Sequence, residues 1–128
     1  MIVTYSAYIY TLLMFTVIIF QFCLTIGLPW GAASMGGKFP GKYPPKMRVA
    51  SFMNMLILSF MAAIVLSKAG LILDAFKSEA SFAIWFVLGF SFLAAILNII
   101  TRSKIERKIW APVSVAQLIC VLIIAFDL

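Results

Sequence analysis

The chain has 128 residues, one domain's worth, of which 65% are hydrophobic and 11% charged, against roughly 45–50% and 25% in soluble domains. A water-soluble fold this apolar has no interior large enough for the excess, so the composition excludes one and calls for an apolar solvent. The formal charge is +6, but its ten basic residues cluster in two short segments between long apolar runs, the pattern of a membrane topology signal beside anionic lipid headgroups rather than of a nucleic-acid interface.

A bilayer core takes about 20 apolar residues per helix. The first run that qualifies is 6–28. It lacks the basic n-region of a cleavable signal peptide and exceeds the usual h-region of about 7–15 residues. Ala32-Ala33-Ser34 looks like a cleavage site, but its flanks are wrong. Tyr5, Tyr8 and Tyr10 open the run, and Trp30 closes it, at positions suited to an aromatic belt. Pro29 is expected to end the helix.

The loop that follows, 29–46, is rich in Pro and Gly, which forbids a regular helix. Met35 and Phe39 are placed to dip into the interface, so the loop is expected to lie on the membrane surface or to fold back under the bundle. Pro44 and Pro45 stiffen the approach to the second run, 47–67. Gly36–Lys42 matches the first seven places of GxxxxGK[ST], yet Tyr43 replaces the hydroxyl and no strand precedes it. A nucleotide site is rejected on that context. Backbone N–H groups beside lysines remain suited to a lipid phosphate.

The outer loop, 68–80, is short and near neutral, with Ser78 or Asp74 placed to cap a helix. The third run is 81–101 and the fourth 109–126, with Trp110 expected at the interface. Between them, 102–108 reads as a charge cluster in which Arg102 and Glu106 pair at i,i+4 if the segment is helical. All four runs are continuous rather than alternating, and about twice a barrel strand's length, so the predicted fold is an all-α four-helix transmembrane bundle in a single domain, 1–128.

Eight of the ten basic residues (Lys38, Lys42, Lys46, Arg48, Arg102, Lys104, Arg107 and Lys108) fall on the face of the 1–2 and 3–4 loops. Only Lys68 and Lys77 fall on the other. The positive-inside rule puts the basic face in the cytoplasm and both termini outside.

Each run carries one side-chain amide: Gln21, Asn54, Asn98 and Gln117. All four lie in the half of the membrane nearer the basic loops, about 5 to 12 Å deep at 1.5 Å per residue. An amide in hydrocarbon needs a partner, so a polar layer facing the bundle interior is expected, either as interhelical glue or as the lining of a pocket ringed by Arg48 and Arg102. Ser91, Ala95, Asn98 and Arg102 share one face of the third run; on the second, Arg48, Ser51 and Asn54 share a face, and Ser51, Asn54 and Ser59 lie within a broad small-polar sector. Lys38, Lys42, Arg48 and Arg102 are the candidates for a ligand or an anionic headgroup. Cys23 and Cys120 sit inside apolar runs and read as packing residues. There is no His and no ligand spacing, so no metal, cofactor or catalytic residue is indicated.

Two segments carry a resemblance. One is Pro29-Trp30-Gly31, then Gly36-Gly37, Pro40-Gly41, Pro44, Arg48 and Ser51. The other is N-x-x-[ST]-R-S-x-x-E-R-x-x-W-A-P-V over Asn98 to Val113. Together they resemble a family of small uncharacterised bacterial four-helix integral membrane proteins. The resemblance implies a bacterial cytoplasmic membrane and transfers no catalytic residue.

Three classes of function remain. A non-enzymatic accessory subunit or lipid or small-molecule binder comes first. A small multidrug-type or uncoupled transporter acting as an oligomer is the alternative, weakened because proton-coupled exporters use an acid inside a helix and every Asp and Glu here reads as terminal or in a loop. A membrane enzyme is the second alternative, without a nucleophile–base pair to support it. Four thin helices bury little surface, which favours self-association or a membrane-protein partner.

The charge bias predicts that a reporter fused after Leu128 reads out as external and one at Lys104 as cytoplasmic. A cytoplasmic C-terminus would refute the orientation.

Overall fold

A computed structural model of the chain describes residues 2–33 and 37–127. Four helices carry it: α1 (Ile2–Thr25), α2 (Pro45–Lys68), α3 (Lys77–Ile100) and α4 (Lys104–Ala125), with no strand among the described residues. Each has 22 to 24 residues, about 33–36 Å, so each is long and apolar enough to cross a bilayer core of about 30 Å. The fold is that of a multi-pass membrane protein.

The helices form a ring. α1 packs on α2 and α4, α3 packs on α2 and α4, and a slight contact crosses the diagonal between α2 and α4. The 1–2 and 3–4 connections share one end, the basic end; the termini and the 2–3 connection share the other, the terminal end. At the terminal end Trp85 of α3 meets Phe126 edge to face, with ring centroids 5.2 Å apart.

Local chemistry sets the helix ends, and several differ from the sequence expectation. α1 stops at Thr25, before Pro29. Gly27 takes φ +96°, and the Leu28 and Gly27 N–H groups donate back to the Cys23 and Leu24 carbonyls, a Schellman closure that needs a residue free to be left-handed. Gly70, at φ +80°, closes α2 the same way. α2 starts at Pro45, whose fixed φ and missing N–H suit the first helical position. α3 starts at Lys77, out of a 3-10 turn over Asp74–Phe76, and its N-cap is Phe76 with no side-chain cap, so neither Asp74 nor Ser78 takes that role.

The expected charged loop 102–108 shrinks to Thr101, Arg102 and Ser103. Ser103 accepts from the Glu106 N–H at 3.1 Å and so starts α4 at Lys104, five residues before the expected 109. Arg102 lies outside the helix and is exposed, so it has no i,i+4 register with Glu106. The early start also leaves Pro112 inside α4, where it cannot donate to the Lys108 carbonyl.

Two arginines bind the helix ends they face. Arg48, in the first turn of α2, donates from Nε to the Thr25 carbonyl at 2.8 Å, and Arg107, in the first turn of α4, donates from Nη2 to the Thr101 carbonyl. Each puts a cation on the negative end of the preceding helix.

The interior is unequal along its length. The dry core comes from the terminal half: Ala7, Tyr10 and Met14 of α1, Leu58, Met61 and Val65 of α2, Ile84 and Val87 of α3, and Cys120, Val121 and Ile124 of α4. Cys120 thus serves as packing, while Cys23 is half-buried. Tyr10 is fully buried rather than a belt residue like the exposed Tyr5 and Tyr8.

Two glycines make a test of this reading. Gly27→Ala, at a left-handed position, should destabilise the protein by about 1–2 kcal/mol. Gly89→Ala, within α3 and with no atom within 4 Å of the added Cβ, should be neutral or stabilising by up to about 1 kcal/mol. Reversible unfolding in mixed detergent measures both, and equal effects would contradict the assigned α1 terminus.

Candidate functional site: an amide-lined cavity

The basic half of the bundle is hollow. A cavity of about 190 Å³ runs there, with its floor on Tyr10, Met14, Leu58 and Met61, which are also the top of the dry core. Its walls follow helical periodicity. On α1 they are Tyr10, Met14, Val17 and Gln21, at i, i+4, i+7 and i+11. On α4 they are Glu106, Trp110, Ser114 and Gln117, spanning eleven residues, about 16 Å. α2 adds Asn54, and α3 adds Ser91, Ala94 and Asn98. Where the terminal half has Ile and Val, this half has Ser and Ala, and the missing volume is the cavity.

The structure brings all four amides, Gln21, Asn54, Asn98 and Gln117, to this one space. They do not bond one another. Asn98 donates from Nδ2 to Ser114 Oγ, tying α3 to α4. Gln117 Nε2 lies 4.0 Å from Met14 Sδ, a weak contact to α1. Among the described residues Gln21 and Asn54 make no side-chain hydrogen bond, and both also border a second groove, of about 400 Å³, on the α1–α2 face beside Tyr43. Ser51 and Ser91 are buried on the faces expected of them, whereas Ser59 is exposed and returns its hydroxyl to the Met55 carbonyl.

A folded loop covers the basic end. Gly31 opens a 3-10 turn, Gly31–Ala33, and its N–H donates to the Gly41 carbonyl at 2.8 Å. A Cβ at Gly31 would collide with the Phe39 carbonyl, which is why a glycine stands there. Two successive carbonyls then reach α4 and its cap: Ala32 accepts from Ser103 Oγ, and Ala33 accepts from Trp110 Nε1 at 3.0 Å. Of the two arrangements open to this loop, it folds back under the bundle. Phe39 packs edge-on against Tyr43, and Met35 lies outside the described residues. Trp110 is therefore buried rather than an interface anchor, and its ring meets Phe20 at 4.8 Å. Trp30 remains half-exposed, its ring parallel to that of Phe20 with centroids 6.4 Å apart.

The four cations singled out from sequence do not line the cavity. Arg48 is engaged at the end of α1, with Lys42 beside it around Gly27. Lys38 and Arg102 are exposed, next to the point where the Gly37 backbone meets Ser103. A ring of Arg48 and Arg102 around the cavity is thus replaced by a different charge. No Lys or Arg lines the space, and Glu106, only 7% exposed, does.

Glu106, Trp110 and Tyr10 were not among the sequence candidates. Ser103-x-x-Glu106 ahead of an apolar run is a capping-box spacing, and it is the signal that moves Glu106 from loop to helix. No local signal marks Tyr10. Its hydroxyl is the one buried side-chain polar atom without a hydrogen-bond partner among the described residues.

The Asn98–Ser114 contact predicts a double-mutant coupling of about 0.6 kcal/mol, up to roughly 1.7, between Asn98→Ala and Ser114→Ala. Asn54→Leu, which breaks no side-chain bond, should change stability by less than about 0.5 kcal/mol. Additive single effects at 98 and 114 would remove the bond from the account. Comparison with protein-family models, with curated proteins and with solved structures found no match to this chain.

Proposed function

We propose that the protein is a non-enzymatic binder of a small molecule, held in the cavity of the basic half. The supporting observation is convergence: four helices each send one amide to the same space, and in hydrocarbon such groups are otherwise costly. A cavity of about 150 Å³ accommodates benzene, so about 190 Å³ suits a guest of one ring and a short tail. In this reading the protein lies in a bacterial cytoplasmic membrane, with its basic end toward the cytoplasm and the folded loop between guest and water.

The burial of Glu106 in a helix favours transport of such a guest as the second reading, since it supplies the acid that the sequence reading found missing.

Binding is tested by thermal unfolding of the detergent-solubilised protein with a panel of one-ring solutes, neutral and cationic. At least one should raise Tm with concentration, by mass action worth about 2.7 kcal/mol at a hundredfold excess over Kd. Ala94→Phe, which fills the cavity, should abolish the rise. A panel without any saturable shift, or shifts that survive Ala94→Phe, would defeat the proposal.

A further inference from the structure

At the cavity, charge and setting oppose the molecule's overall balance. The basic end carries eight of the ten Lys and Arg residues, yet none of them lines the space. Two are turned aside by helix-end carbonyls, Arg48 by Thr25 and Arg107 by Thr101. The ionic side chain that does line it is acidic.

Glu106 stands one turn from Trp110 on the same face of α4, and both line the cavity. Phe20, also lining it, meets Trp110 at 4.8 Å with the rings tilted by 56°. A carboxylate beside two aromatic rings, with amide oxygens deeper in, is a recognition set for a positive nitrogen. The carboxylate supplies the counter-charge, and the ring faces supply the negative side of their quadrupoles. An anion would face the carboxylate with no Lys or Arg lining the space to offset it, and one carboxylate without histidine is a poor divalent-metal site. A carboxylate has about four lone-pair positions, so contacts to the protein leave capacity for a guest.

We infer that the cavity selects a small organic cation, with Glu106 as its counter-ion and the Phe20–Trp110 pair as the aromatic wall against its charged end. This rests on the binding role proposed above and adds the chemical class of the guest. The cation sits at the basic end of the space, under the loop that Ala33 ties to Trp110. Its apolar remainder points toward Met14, Leu58 and Met61 on the floor.

The test compares phenethylamine with 2-phenylethanol, which have nearly the same shape but differ in charge at neutral pH. Trp110 is the reporter, in a background of Trp30→Phe and Trp85→Phe, both of which replace half-exposed indoles outside the cavity. Fluorescence titration in nanodiscs of zwitterionic lipid should give an affinity for the amine at least about tenfold above that for the alcohol. Glu106→Gln keeps the shape, and glutamine also fits the capping box, so the helix start is preserved. It should lower amine affinity about tenfold or more and leave the alcohol unchanged. Glu79→Gln, which removes an exposed acid at the terminal end, should leave the amine-to-alcohol ratio as it was. Circular dichroism melting checks that each variant is folded.

Equal binding of amine and alcohol, or an amine affinity indifferent to Glu106→Gln in a folded variant, overturns the charge assignment and leaves the binding role standing. Binding of neither overturns both. Glu106 would then serve only the start of α4.

Discussion

In a bilayer these helices gain nothing by hiding apolar surface from their solvent, because lipid tails are as apolar as leucine. Cohesion must come from close packing and from the few polar contacts that hydrocarbon cannot replace. The terminal half uses the first source. Val65, Ile84, Val121 and Ile124 have essentially no exposure there and belong to one apolar cluster. The basic half uses the second: the Asn98–Ser114 bond, Arg48 on Thr25, Arg107 on Thr101, and the Trp110 indole on Ala33. Polar groups need room and direction as well as proximity, and a half built from them is left with space at its centre.

That division assigns each part of the chain a task. The packed half fixes the ring of helices and needs no chemistry of its own. The hollow half presents one amide from each helix and one acid to a common space. The loop over it is fastened at consecutive carbonyls, so its two closing bonds stand or fall together. The groove on the α1–α2 face shares Gln21 and Asn54 with the cavity, which leaves a thin polar wall, rather than an apolar seal, between cavity and groove.

Four helices, their sequence order and the depth of the amides were legible because each depends on composition and helical period alone. A run of about 20 apolar residues has few alternatives, and an amide within it turns inward whatever its neighbours. The helix ends were less legible. Pro29 is a stronger sequence signal than Gly27, but the chain had already closed α1 with a left-handed residue two positions earlier. Hydropathy places Glu106 with its charged neighbours in a loop, because it averages over a window and misses a single serine cap. The preference of Trp for interfaces points to an anchor at Trp110. Its indole N–H found the Ala33 carbonyl, 77 residues earlier, and no local pattern encodes that pairing. Tyr10 illustrates the same limit, since whether a tyrosine at the head of a helix faces lipid or core depends on the rotation of the whole helix.

The bonds from Ala32 and Ala33 to Ser103 and Trp110 also set an order of events during synthesis. Three of the four seams in the ring are joined by a connecting segment; the seam between α1 and α4 is bridged instead by this loop. Its carbonyls leave the ribosome 71 and 77 residues ahead of their donors, an interval of about 4–15 s at ordinary elongation rates. For that time the first three helices form an open arc, and the amides of α1 to α3 border no enclosed space. The cavity comes into being only when the last helix arrives, so a ribosome stalled before Ser103 leaves a membrane-inserted chain without it.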